Sequence, residues 1–174
     1  FAREHNIPYL GICLGMQISV IEYARNVLKL KNANSTEFNI KTNNPVVALV
    51  EEWKDRSGNK IIADKNNLGG TMRLGSQECL IKKDSLVYKM YKKLNITERH
   101  RHRYEVNGNL VSHFNRSNLV FSGKSKKGNL MEIIELKNHP WYVGCQFHPE
   151  FTSSPIEGHP LFNGFINAAS KRKA

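Results

Sequence analysis

The chain of 174 residues is poor in several features, and each shortage excludes something. It holds three cysteines, Cys13, Cys79 and Cys145, an odd number set too far apart for a disulfide framework. No two form a Cys-x-x-Cys pair and no His stands at finger spacing from them, which argues against a structural zinc. Thiols left free predict a reducing, cytoplasmic compartment. No apolar run approaches the ~20 residues that cross a bilayer, so no membrane partner is expected. There is no internal repeat. Acidic residues are outnumbered, 15 Asp+Glu against 26 Lys+Arg, which leaves a formal charge of +11. That imbalance invites a nucleic-acid or phosphate-binding reading.

Hydrophobic residues make up 40% and charged residues 24%, which excludes a disordered or fibrous chain. A chain of this length buries roughly 70% of its unfolded surface, enough for one domain with a real core. It opens on Phe1 rather than Met, and residues 1–6 read as the last turn of a helix with Asn6 near its end. The expectation is a piece of a longer protein.

Residues 7–13 are a nearly continuous apolar run that suits a buried parallel strand. Residues 14–30 then take helical spacing, with Met16, Val20, Ile21, Ala24, Val27 and Leu28 on one face. An Asn-rich loop is expected over 31–45, a strand over 45–50, and turns over 55–58 and 66–70. Further strands are expected over 72–81, 101–106, 119–122, 131–136 and 141–147, with helices over 85–94 and 161–169. The fold class is α/β, with a central, mostly parallel sheet flanked by helices.

Gly11-Ile12-Cys13-Leu14-Gly15 is the cysteine form of a Gly-x-nucleophile-x-Gly elbow. The nucleophile sits on a sharp strand-to-helix turn, and small flanking residues let the backbone fold back. The helix N-terminus favours a thiolate, and the Leu14 N–H points where an oxyanion would form. The other reading is a structural cysteine in a Gly-flanked turn.

Gln146-Phe147-His148-Pro149-Glu150 closes an apolar strand. Residues i and i+2 of a strand share a face, so His148 and Glu150 point the same way if the extended backbone continues through Pro149. A His backed by a carboxylate is the base-and-orienter half of a triad. Between these segments lies Arg99-His100-Arg101-His102-Arg103, which fits a strand with Arg on one face and His on the other. As a bare pattern it also suits phosphate or RNA contact. The lysine clusters, including Lys82-Lys83, Lys92-Lys93 and residues 171–173, read as solvated surface. Cys79, Cys145, Met72, Trp53 and Trp141 read as packing, and His139 and His159 as turn residues beside prolines.

Together, Gly11-Ile-Cys-Leu-Gly-Met-Gln17 and Phe147-His-Pro-Glu150 resemble the class I (triad) glutamine amidotransferases. Narrower stretches resemble the CTP synthase family. They are Asn32-Ala-Asn-Ser-Thr-Glu-Phe38, Leu68-Gly-Gly-Thr-Met-Arg-Leu-Gly75, Glu98-Arg-His-Arg-His-Arg-Tyr-Glu-Val-Asn107 and the run from His139 to Thr152, followed by Gly158-His-Pro-Leu-Phe162. The resemblance implies a flavodoxin-like amidotransferase fold whose N-terminal part is missing. It implies a glutaminase domain over 1–174, with Cys13 as nucleophile and His148 and Glu150 completing the triad. It further implies glutamine binding by Leu14, Gly15, Met16, Gln17, Glu37, Arg103 and Tyr104. Glu37 suits the substrate ammonium, and Arg103 its carboxylate.

The same resemblance implies an upstream glycine-rich oxyanion loop and a synthetase domain that aminates UTP with ATP and Mg2+. It implies GTP as an allosteric activator, a homotetramer as the full-length assembly, and no metal or cofactor within this domain. Two other readings stay open on the residues alone. One is the glutaminase part of a GMP synthase or anthranilate synthase. The other is a catalytically silent basic module that binds nucleic acid.

Overall fold

The computed structural model describes residues 1–49, 72–126 and 130–172. The turns expected over 55–58 and 66–70, Trp53 and Lys173 lie outside the described residues. The chain opens with a turn closed by the Ile7 N–H on the Ala2 carbonyl, and Asn6 takes a left-handed φ of 53°. This is the helix-end geometry expected there. Strand β1 (Tyr9–Ile12) runs straight into helix α1 (Leu14–Asn26).

The predicted helix ran to residue 30, but α1 stops at Asn26. Lys29 is left-handed, with φ 58°, and the Leu30 N–H turns back to the Ala24 carbonyl. Leu28 and Leu30 still pack on the core beyond the helix, so apolar periodicity outlasts the helical backbone.

A small three-stranded sheet follows the order β2 (Asn34–Ser35), β3 (Pro45–Leu49), β6 (Tyr104–Val106). The main sheet has six strands in the order β1-β9-β8-β7-β4-β5. Its members are β4 (Arg73–Ile81), β5 (Asn95–His102), β7 (Leu119–Ser125), β8 (Met131–Leu136) and β9 (Tyr142–Cys145). Two further α-helices among the described residues are α2 (Leu86–Tyr91) and α3 (Pro160–Lys171).

The main sheet is mixed rather than mostly parallel. Among the described residues only β1 and β9 of this sheet pair in parallel, and the other four neighbouring pairs run antiparallel. Strands β8 and β9 follow one another through a short turn, which only antiparallel neighbours can use.

The sheet is covered on both faces. Ile133 and Ile134, adjacent on β8, point to opposite sides and join different cores. One core packs α1 through Met16, Val20 and Ala24 against Ile134 and Val47. The other packs α2 and α3 through Val87 and Leu161 against Ile133, Val143 and Phe147. Cys79 and Cys145 are fully buried there, and Trp141 packs on Phe165, as expected of packing residues.

Candidate active site

The parallel pairing of β1 with β9 aligns Ile12 with Cys145, so the residues that follow leave the same end of adjacent strands. The Cys13 N–H donates to the Cys145 carbonyl at 2.7 Å, extending that pairing by one residue. Cys13 then takes φ 50° and ψ −104° as the N-cap of α1. A non-glycine residue there is strained, as an elbow nucleophile is.

The flanking glycines differ. A Cβ on Gly11 would stand 2.8 Å from the Gly15 backbone carbon, whereas one on Gly15 would meet only the Tyr9 hydroxyl at 3.6 Å. Gly11 therefore permits the close return of the helix.

Burial pushes the Cys13 thiol above its ordinary value. The Leu14 N–H and the Gln146 side-chain amide oppose this, and the charges of Glu105 and Glu150 reinforce it. The expected lowering by the helix N-terminus is present through Leu14 but does not win, because half-burial of the sulfur outweighs one N–H.

A cavity of about 280 Å³ opens beside the thiol, lined by Cys13, Leu14, Gln17, Glu37, Arg103 and Tyr104 among others. Loop, helix and strand residues far apart in sequence meet there. Gly15 and Met16 do not line it. Met16 is fully buried in the core, and the Gly15 carbonyl accepts from the Tyr9 and Ser19 hydroxyls. Met72, Arg101 and His102 line the cavity too. Met72 was expected to be packing only, but it lies just before β4 and lines the cavity.

His148 and Glu150 meet, with Nδ1 2.6 Å from Oε1. They do so by a different route from the one expected. The strand ends at Cys145, and Pro149–Phe151 forms a 3₁₀ turn that brings the carboxylate back to the imidazole. Proline suits the first position of such a turn, where no N–H is needed. His148 Nε2 is buried and has no hydrogen-bond partner among the described residues.

The turn is anchored from β5. The His148 N–H donates to the Arg99 carbonyl at 2.8 Å, and the Thr152 hydroxyl donates to buried Glu98 at 2.7 Å. Glu98 also holds the Tyr91 hydroxyl and His159 Nε2. His159 is thus a buried partner of the site's support and the N-cap of α3, more than a turn residue.

The Arg/His alternation behaves as expected. His100 and His102 point inward, and Arg99 and Arg101 are exposed. Sequence reasoning missed Gln146 and Glu98. The available signal for Gln146 was a lone amide inside an otherwise apolar run.

The chain matches the family model "Glutamine amidotransferase class-I" over residues 1–168, and it belongs to that family. Among solved structures it is similar to the glutaminase domain of Trypanosoma brucei CTPS with bound acivicin. That match has 35% identity and a TM-score of 0.84, covering 99% of this chain and 64% of that one. A Thermoplasma acidophilum protein described as a GMP synthase subunit matches with 17% identity and a TM-score of 0.55, covering 97% and 60%. The second likeness is one of fold. The chain spans less than two thirds of either solved chain. No helix among the described residues is long and apolar enough to cross a membrane.

Proposed function

We propose that the chain is a CTP synthase-type glutaminase, hydrolysing glutamine through Cys13, His148 and Glu150. The observation that carries this reading is the shared cavity. It sets a thiol at a helix N-terminus beside a carboxylate, Glu37, and a guanidinium, Arg103. An α-amino acid presents an ammonium to the first and a carboxylate to the second, which leaves its side-chain amide for the sulfur.

In this reading Cys13 loses its proton to His148 Nε2 and attacks the carboxamide carbon. The Leu14 N–H stabilises the oxyanion. His148 returns the proton to the departing nitrogen, the C–N bond breaks, and ammonia leaves a thioester. Water, deprotonated by His148, then cleaves the C–S bond and releases glutamate and the thiol. Glu150 holds the imidazole in the tautomer that leaves Nε2 free to accept.

Likeness to the CTPS glutaminase domain supports delivery of the ammonia to UTP in an upstream synthetase domain of a cytoplasmic homotetramer. ATP and Mg2+ belong to that domain and GTP to its regulation, and no residue of this chain is assigned to them.

The test is covalent labelling with acivicin followed by peptide mapping. One label per chain at Cys13, blocked by excess glutamine, is the expected result. Labelling at Cys79 or Cys145 overturns the reading, because burial raises both thiols and leaves them fully enclosed.

A further inference from the structure

We infer that Gln146 is a positioning residue that holds the Cys13 sulfur and favours its thiolate, through an amide chain that starts at the cavity wall. The inference rests on the glutaminase reading of the same site.

Gln146 is completely buried immediately after β9, and its backbone N–H donates to the Glu132 carbonyl at 2.8 Å. Its side chain lies between Gln17 and Cys13. The orientation of both amides follows from one fixed group. The Tyr104 backbone carbonyl can only accept, so Gln17 must turn its NH2 towards it, and does so at 2.9 Å. The same Gln17 nitrogen lies 3.1 Å from Gln146 Oε1, so Gln146 presents its oxygen to Gln17. Its NH2 is thereby left facing Cys13 Sγ, at 3.6 Å. A reversed Gln146 would set nitrogen against nitrogen and lose the Gln17 bond, and its oxygen could meet the sulfur only as acceptor of a thiol proton.

A donor aimed at sulfur stabilises S⁻ over S–H. It acts against burial and against the nearby carboxylates of Glu105 and Glu150. Gln17 and Tyr104 are cavity residues and Gln146 is not. The relay therefore ties the wall beside Arg103 to the nucleophile through Gln146, which does not line the cavity.

The experiment follows the rate of Cys13 alkylation by iodoacetamide from pH 6 to 11, read by mass mapping. It compares wild type, the nearly isosteric Gln146→Met, and Gln17→Met, which frees the Gln146 amide to rotate. Folding is checked by circular dichroism and thermal midpoint. The Gln146→Met midpoint should rise by about one pH unit, the size of one lost hydrogen bond to a charged group. Gln17→Met should move it the same way by less. With glutamine, kcat in Gln146→Met should fall about tenfold while KM stays within about twofold.

A folded Gln146→Met protein with an unmoved alkylation midpoint overturns the inference. If Gln146→Met fails to fold, an unmoved midpoint in Gln17→Met overturns it equally. The alkylation profile needs no turnover. A shifted midpoint in a chain that never hydrolyses glutamine would defeat the glutaminase reading and leave the positioning role standing.

Discussion

At the residue scale, three thiols of one chain are set apart by surroundings alone. Cys79 and Cys145 are fully enclosed, while Cys13 reaches a cavity and has two donors that favour its ionised form. The groups around Cys13 divide between binding and turnover, and substitutions should separate them. Glu150→Gln keeps shape but weakens the 2.6 Å contact that orients His148, so kcat should fall by on the order of 10- to 100-fold with KM little changed. Arg103→Ala removes the cation proposed for the substrate carboxylate, so KM should rise by on the order of 10- to 100-fold with a smaller effect on kcat. Steady-state kinetics on both variants checks the division, and equal changes in both parameters for each would overturn it.

At the element scale, the β1–α1 elbow depends on one of its two glycines. Gly11→Ala drives a methyl into the Gly15 backbone, which can yield only by moving α1, and should cost about 1–3 kcal/mol. Gly15→Ala meets no backbone and lies within the helix, so it should be neutral or stabilise by up to about 1 kcal/mol. Denaturant midpoints of the two variants check this, and equal losses would place the constraint elsewhere.

The elbow itself was legible in the sequence, because an apolar run, a Gly-x-Cys-x-Gly turn and a periodic segment are all local signals. Strand β5 was legible only over its last residues. Its inward face carries Glu98, His100 and His102 as well as Ile96, so no apolar alternation marked it. The 3₁₀ turn at Gly108–Phe114 also went unread. The pairing of His148 with Glu150 was legible from adjacency, but the turn that achieves it was not. The thiol, Glu37 and Arg103 came together through the family resemblance, since no local rule joins a loop at residue 37 to a strand at 103. Gln146 escaped both routes, because its partners Cys13 and Gln17 are 133 and 129 positions away.

At the scale of the whole molecule, a polar cluster stitches the two sheets together. Arg73 on β4 reaches Glu132 on β8 at 2.6 Å and Glu105 on β6 at 3.1 Å, with buried His100 and His102 beside them. One guanidinium cannot neutralise two enclosed carboxylates. Burial first, and then the Glu132 charge, raise Glu105 from 4.5 to about 8, with Arg73 opposing. Burial, aided by Arg73, lowers His102 from 6.5 to about 3.

The signs follow from which state binds more protons. Between pH 4.5 and 8 the folded chain keeps a Glu105 proton that the unfolded chain releases, so this group's contribution falls as pH rises. Below pH 6.5 the unfolded chain protonates histidines that the folded chain holds neutral, so their contribution falls as pH drops. The two effects oppose each other in acid, and the histidine effect fades above 6.5, so Glu105 outweighs it from about pH 7 to 8. Over that window the unfolding free energy should fall by up to about 1.4 kcal/mol per pH unit. Glu105→Gln, which retains an oxygen for Arg73, should flatten the slope. Urea unfolding of both proteins at pH 6.5, 7.0, 7.5 and 8.0 decides it, and a slope unchanged in Glu105→Gln would show that the buried proton resides on another group.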